Sequence, residues 1–519
     1  MRAPRRSAPV AALALVLGAA LSGCVVVPLP RRAWQSVETP HFEVFAAYDA
    51  ELSARLGVEL EQFRAAAEHL WGRPLPPPAR RIRVIAYNGS GSVQPFRQPK
   101  REGSYLLARP VGETIVFRSP YGWSEAAPTE LRLELARRLF RNAHDGNEAP
   151  WLVEGLAQLA ATSDVRGGRQ LRTSEILILP LLPLKMLEIA ADTPDRVEVG
   201  QPRSDLVRRL RRDAWVPLER LTASHDLAGW SQRDREMFEA ESWLLVHYLK
   251  FGVRDADTPS DLIEATRRTL DRGGDTEAAL EAAAGKGLRH RLARYARGRT
   301  FDGLELGVEA VALAAPGPVG DNAIRGQLGE LALDLESWEL AQVYFEDALD
   351  REPAVGAYRA GLCAALAHQG STDGSCERAL AVGPDDPVVL GRVADAYRSL
   401  GLSAESSTLR RERTADAIDL YSDALARRQN DPALLYGLAA ARFESGDAEG
   451  ALEALARLHR WLPGDPEVQQ LTARAELARG DREAARLWAG RAITTARNHA
   501  EISAAQSLLE QIDAQIARN

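Results

Sequence analysis

Residues 129–158 read TELRLELARRLFRNAHDGNEAPWLVEGLAQ, and two glutamates and an arginine in that stretch could do chemistry. Glu134 and Arg137 are three residues apart, so on a helix they share one side. Arg141 follows one further turn on, and Glu154 lies in the next apolar run. A carboxylate can serve as a general base or a metal ligand. A guanidinium stays protonated, repels a cation and pairs with carboxylates two bonds at a time. If the two runs pack as walls of one cleft, Arg137 faces Glu154 and takes up one or both carboxylates, offsetting the cost of two acids in one pocket; otherwise both glutamates are solvated helix surface. Two neutral imidazoles one helical turn apart would let this helix hold zinc. The chain has 9 histidines, no two of them within 20 residues of each other, and His144 falls near or past the end of the first helix. No metal or cofactor is expected.

Several elements must position these residues. His41 to Tyr48 (HFEVFAAY) and Arg81 to Tyr87 (RIRVIAY) alternate as strands, with an amphipathic helix from Ala50 to Trp71 between them. Gly103 to Leu107 and Glu113 to Arg118 read as two more strands around Pro110-Val111-Gly112, and Gly89-Ser90-Gly91 as a flexible loop. Pro128 opens the helix carrying Glu134, a favourable early position for proline. Leu131, Leu135, Ala136, Leu139 and Phe140 give that helix an apolar stripe for the core. Trp151 and Leu152 read as packing residues, as does the helix Glu241 to Leu249 with His247 and Tyr248.

The layout around Glu134 resembles the HExxH helix of the gluzincin metallopeptidases, and W-x-x-E-G-L-A around Glu154 resembles their third-ligand helix. Strand, helix, strands and motif helix follow in the order of the bacterial peptidase-MA-like group, and the resemblance covers about residues 36–300. It implies zinc, held by histidines at the positions of Leu133 and Arg137 and by Glu154, with Glu134 as general base. Both histidine positions are replaced. The expectation is a pseudo-peptidase with vestigial Glu134 and Glu154, no catalytic residues and no metal. An active hydrolase with non-standard ligands is the alternative.

Beyond about residue 320 a 34-residue period sets in. Glu336 and Gly370 are 34 apart, as are Gly446 and Gly480, each at a turn between helices. Leu328-Gly329, Trp338, Ala341, Phe345, Ala348 and Pro353 resemble the tetratricopeptide pattern, as do Leu435, Leu438-Ala439, Gly446, Ala451, Leu455 and Pro463. Residues 355–386 read as a shortened repeat, 387–431 as one stretched around Arg410 to Thr414, Gln469 to Ala496 as the last, and Ala500 to Ile516 as a capping helix. Cys363 and Cys376 fall in the shortened repeat, where a disulfide is possible in an oxidising compartment and two buried thiols are equally consistent.

At the N-terminus Arg2, Arg5 and Arg6 precede an apolar run too short to span a bilayer, and Leu21-Ser22-Gly23-Cys24 resembles a bacterial lipobox. That resemblance implies cleavage before Cys24, a lipid anchor on it and, with Val25 following, the outer membrane, facing the periplasm or the surface. The predicted organisation is a signal peptide (1–23), a tether (24–35), an α+β metallopeptidase-like domain (36–303), a linker (304–319) and an all-α tetratricopeptide solenoid with a cap (320–519). Ile176 to Leu187 is apolar but broken by Pro180 and Pro183, and reads as core or cleft wall. A net charge of −7 without a basic patch argues against nucleic acid, and no phosphate loop, nucleophile elbow or paired-cysteine site is present. The partners expected are a protein or peptide at the repeats and the membrane at Cys24.

Overall fold

The computed structural model describes residues 33–87, 96, 104–118, 127–143, 148–166, 196–223, 230–252, 262–270, 276–298, 301–308, 314–496 and 499–517. Cys24, the signal-like segment, Gly89-Ser90-Gly91, His144 and the 176–187 run lie outside them.

A six-stranded sheet organises the N-terminal body, in the order β4-β5-β3-β2-β1-β9. Its strands are β1 (Trp34–Glu38), β2 (Phe42–Ala46), β3 (Ile82–Tyr87), β4 (Tyr105–Arg109), β5 (Gly112–Arg118) and β9 (Gly317–Val319). β2, β3 and β5 are parallel; β1, β4 and β9 pair antiparallel at the flanks. Both faces are apolar, as a parallel centre requires. Phe42, Val44, Ala46, Val84, Ala86, Ile115 and Phe117 join one cluster, beneath helices α1 (Ala50–Trp71), α2 (Thr129–Arg141) and α3 (Pro150–Ala161). The alternate residues Phe45, Ala47, Ile85, Tyr87 and Val116 point the other way, into a second cluster. Asp49 caps the start of α1 with its side chain, and Gly72 ends it in the left-handed region at φ 79°.

Four further helices follow α3: α4 (Ser204–Arg212), α5 (Leu218–Ala223), α6 (Gln232–His247, continued by a π-turn to Gly252) and α7 (Leu262–Leu270). After them come α8 (Thr276–Ala284) and α9 (Leu288–Ala296). A small antiparallel sheet of β6 (Asp164–Arg166), β7 (Arg196–Val199) and β8 (Leu304–Gly307) lies beside them.

Helical hairpins fill the rest of the chain. The first is α10 (Asp321–Asp334) with α11 (Trp338–Arg351), and the second α12 (Gly356–His368) with α13 (Ser375–Val382). The third is α14 (Pro387–Ser403) with α15 (Ser407–Arg427), and the fourth α16 (Pro432–Ser445) with α17 (Ala448–Leu458). The fifth is α18 (Pro466–Arg479) with α19 (Arg482–Thr495), and α20 (His499–Ala517) closes the array. Glu336, Gly370, Gly446 and Gly480, the turn positions set by the period, all have positive φ (57°, 88°, 90° and 99°). The extra residues of the third repeat are absorbed as helix: Arg410 to Thr414 lie inside the 21-residue α15.

Two boundaries differ from the sequence reading. Residues 304–319 are not a free linker, because Leu304–Gly307 pairs with β7 and Gly317–Val319 with β1. Strands of three or four residues carry too few side chains to show alternation, and Pro318 is tolerated because β9 is an edge strand. Trp34 and Gln35, assigned to the tether, belong to β1, and Trp34 is buried in the second cluster.

That second cluster changes the architecture most. It joins Trp34, Phe45, Ile85, Tyr87 and Val116 of the sheet to Ile324, Leu328, Leu331, Phe345 and Ala364 of the first two hairpins. The solenoid therefore starts as the cover of the sheet's second face.

Candidate functional site

Helix α2 faces two ways. Leu131, Leu135, Ala136 and Phe140 enter the core, where Phe140 stacks on Trp71 with ring centroids 5.2 Å apart. Leu133 is buried with them, as an ordinary core leucine. Arg137, one turn later, reaches α3. Its Nε donates to Glu154 Oε2 at 2.7 Å and its Nη2 to Glu154 Oε1 at 2.6 Å, a fork-on-carboxylate pair. The same Nη2 is 3.5 Å from Glu239 Oε1 on α6. Gln158 Nε2 donates to Glu154 Oε1 at 2.7 Å, and Arg203 Nη1 donates to Gln158 Oε1 at 2.8 Å. Arg137 and Glu154 are thus brought together at the centre of a network reaching α6 and α4.

Glu134 lines the cavity beside this pair, and its charge adds to those around Arg137. Burial alone would raise the Glu154 carboxyl; the Arg137 guanidinium outweighs it and holds Glu154 below the usual carboxylate range. Arg137 is correspondingly held above its ordinary value, because the Glu154 charge overcomes desolvation. Glu239 goes the other way: burial first, then the neighbouring Glu154, push it up to about 7.

His247 plays no part here. It is fully buried, its Nε2–H donates to the Gly200 carbonyl at 3.0 Å, and its Nδ1 accepts from the Tyr295 hydroxyl at 2.9 Å. Desolvation lowers it to about 4, so it stays neutral. Trp151 and Leu152 are core residues. Among the described residues, no group of three or more His, Cys, Asp or Glu side chains is arranged to hold a metal ion.

The exposed side of α2 opens onto a cavity of about 390 Å³. Glu134, Arg137 and Arg141 form one wall, Arg109 of β4 borders it, and Glu467, Thr495 and Glu501 of the solenoid close it. Arg138 is buried beside it, paired with Glu113 of β5 and, at 2.7 Å, with Asp465 at the start of α18. Sequence reasoning missed Glu239, Gln158, Arg203, Glu113 and Asp465. Asp465-Pro466 is legible as a helix start, but nothing local signals that its second carboxylate oxygen takes an arginine 327 residues away.

Cys363 and Cys376 are bonded, with Cα atoms 4.9 Å apart, tying α12 to α13. No helix among the described residues is long and apolar enough to cross a membrane.

The tetratricopeptide repeat family matches residues 408–475 and 443–512. The chain is 33% identical over 169 residues to the cellulose synthase 2 operon protein C of Komagataeibacter xylinus. That match covers 30% of this chain and 13% of the relative's length. Similar solved structures include a thermophilic tetratricopeptide protein of Thermus thermophilus (19% identity, TM-score 0.33, covering 36% of this chain and 99% of that one). Another is the type IV pilus biogenesis factor PilW (17% identity, TM-score 0.29, 39% and 94%). The C-terminal hairpins are tetratricopeptide repeats, a scaffold for protein–protein interaction.

Proposed function

We propose that the chain is a membrane-anchored periplasmic or surface lipoprotein whose repeats hold a protein or peptide partner. Its N-terminal body, on this reading, is a gluzincin-like pseudo-peptidase retained for binding rather than bond cleavage. The observation that carries it is the bidentate Arg137–Glu154 pair. A fixed guanidinium occupies the position where the resemblance calls for a zinc ligand, and it neutralises the carboxylate that would have been another. Leu133, at the remaining ligand position, is part of the core. Anchoring at Cys24 and an outer-membrane location are proposed from the lipobox resemblance, Leu21-Ser22-Gly23-Cys24 followed by Val25.

The hydrolase alternative has one feature in its favour, a second carboxylate in the cleft: Glu239 Oε1 lies 3.5 Å from Arg137 Nη2, and its carboxyl is pushed up by burial and by the neighbouring Glu154. Arg137 beside it is a charge partner rather than a nucleophile.

Crosslinking pull-down from envelope fractions tests the scaffold reading, comparing the anchored protein with C24A. The expected result is partner recovery by the wild type, lipid mass on Cys24 and release of C24A to the soluble fraction. Peptide cleavage by the purified protein that is lost in E134Q or E239Q would contradict it.

A further inference from the structure

The two ends of the solenoid meet the N-terminal body by different physics. The first two repeats share a continuous apolar core with the sheet. The buried apolar cluster of repeats two to five holds residues 360–475 and none from the body, and the body's main cluster ends at Leu306. Among the described residues, then, no buried apolar cluster spans the seam between the last repeats and the body. Charged pairs and a close backbone approach cross this seam, Pro432, Trp461 and Leu462 face Pro76, Pro77 and Leu139 across a cavity of about 60 Å³, and cavities of about 390 Å³ and about 70 Å³ also lie along it.

The charged contacts recur at the repeat spacing. Asp431 and Asp465, 34 residues apart, each cap the first helix of a repeat through Oδ1, which accepts from Ala433 N and Leu434 N in one case and from Glu467 N and Val468 N in the other. Each then presents Oδ2 to an arginine of the body: Arg80 Nε donates to Asp431 at 2.9 Å, and Arg138 Nη1 to Asp465 at 2.7 Å. The corresponding cap of the third repeat, Asp386, is exposed and accepts from Val388 N. Beside Asp465, a side-chain carbon on Gly464 would collide with the Arg141 carbonyl. The corresponding positions before Asp431 and Asp386 carry Asn430 and Asp385, so the repeat turn itself does not demand glycine there. Glycine is required where the turn touches the end of α2.

We propose that repeats four and five, with α20, form a cover that undocks from the body as one unit and pivots on the third repeat, while the first two repeats stay fixed to the sheet. Opening would break the Asp431–Arg80 and Asp465–Arg138 pairs and the Gly464–Arg141 contact together. It would expose the cavity wall carrying Glu134, Arg137 and Arg141. A seam of charged pairs and small cavities is easier to separate than a continuous packed core, because the buried Arg138 and Asp465 charges regain water on opening.

Hydrogen exchange on the full chain tests this with two variants that act by unrelated means. D431N/D465N keeps both caps, since asparagine caps as well as aspartate, and removes the charge facing the arginines. G464V wedges the backbone contact and leaves every charge in place. Both should speed exchange at residues 138–143 and 464–468 by about tenfold, leaving α10, α11 and α17 at wild-type rates. Unchanged rates at both seam segments in both folded variants would overturn the proposal. So would equal acceleration of α10 and α11, because the solenoid would then leave whole. Wild-type exchange in mild denaturant gives an arm that needs no variant. The two seam segments should share one opening step, reached before that of α10 and the sheet; exchange of all of them only through global unfolding would contradict it.

Discussion

Replacing Arg137 by methionine keeps the apolar stem against its neighbours and removes the cation. Glu154 is 7% exposed, and it would be left with Gln158 as its donor and Glu239 close by. Removing one partner of a buried pair costs about 3–5 kcal/mol. Arg137 keeps 24% of its side-chain surface, which favours the lower end, about 3 kcal/mol at pH 7. The pH dependence has a definite sign. In the wild type the lowered Glu154 contributes stability above its unfolded value of about 4.3, and that contribution is lost as pH falls through the folded value. In R137M the stranded carboxyl is relieved by protonation, which becomes easier by about 1.4 kcal/mol per pH unit going down. The deficit of the variant should therefore be largest at pH 7 and shrink toward pH 5. Urea unfolding followed by tryptophan fluorescence at both values measures this, and a double-mutant cycle with E154Q should return a coupling of at least about 2 kcal/mol. A variant within about 0.5 kcal/mol of wild type at pH 7, or a deficit equal at the two pH values, would refute a buried pair at the centre of the site.

Other expectations follow from single contacts. Glu241 is buried, its carboxyl accepts from Val216 N at 2.6 Å, and desolvation pushes it up to about 8. The folded state then keeps a proton that the unfolded state has released, so wild-type stability should fall as pH rises from about 4.3 toward 8. E241Q should flatten that slope and unfold at higher urea than wild type at pH 8. Gly155 is where α3 crosses α6: an added Cβ would press on the Ser242 carbonyl and the Val246 side chain. G155A should therefore cost about 1–3 kcal/mol despite alanine's better helix propensity, read as a lower melting temperature. The Cys363–Cys376 bridge closes a separation of 13 residues, so C363A/C376A should lose about 3 kcal/mol in the second repeat, seen as faster exchange confined to α12 and α13.

The solenoid was legible because its signals are local. A period of 34 residues fixes turn positions, and small residues at helix crossings follow from sterics, as Gly329 and Gly361 against Phe345 illustrate. Alternation likewise marked β2, β3 and β5, although with both sheet faces buried it could not say which residues face which cluster. The Arg137–Glu154 contact could be anticipated from residue type only together with the resemblance that sets the two helices across one cleft, 17 residues apart in the chain. What sequence could not show is long-range. The pairing of β9 with β1, the Asp465–Arg138 pair and the closing of the cavity by Glu467 and Glu501 each join parts of the chain hundreds of residues apart, through a three-residue backbone ladder or one or two side chains. Glu239 was missed for a simpler reason: it lies two residues before the segment read as a packing helix, on a helix that starts at Gln232, and its neighbours are set by how α6 crosses α3.

Zinc titration of the apo-purified wild type beside L133H/R137H asks directly whether Arg137 has displaced a metal from an inherited site. The wild type should show no stoichiometric binding at micromolar zinc. The double variant, with Glu154 released from Arg137 and two imidazoles one turn apart, should bind one zinc per chain. One tightly held zinc in the wild type, lost in E154Q, would contradict the reading of this cleft as an arginine-filled remnant.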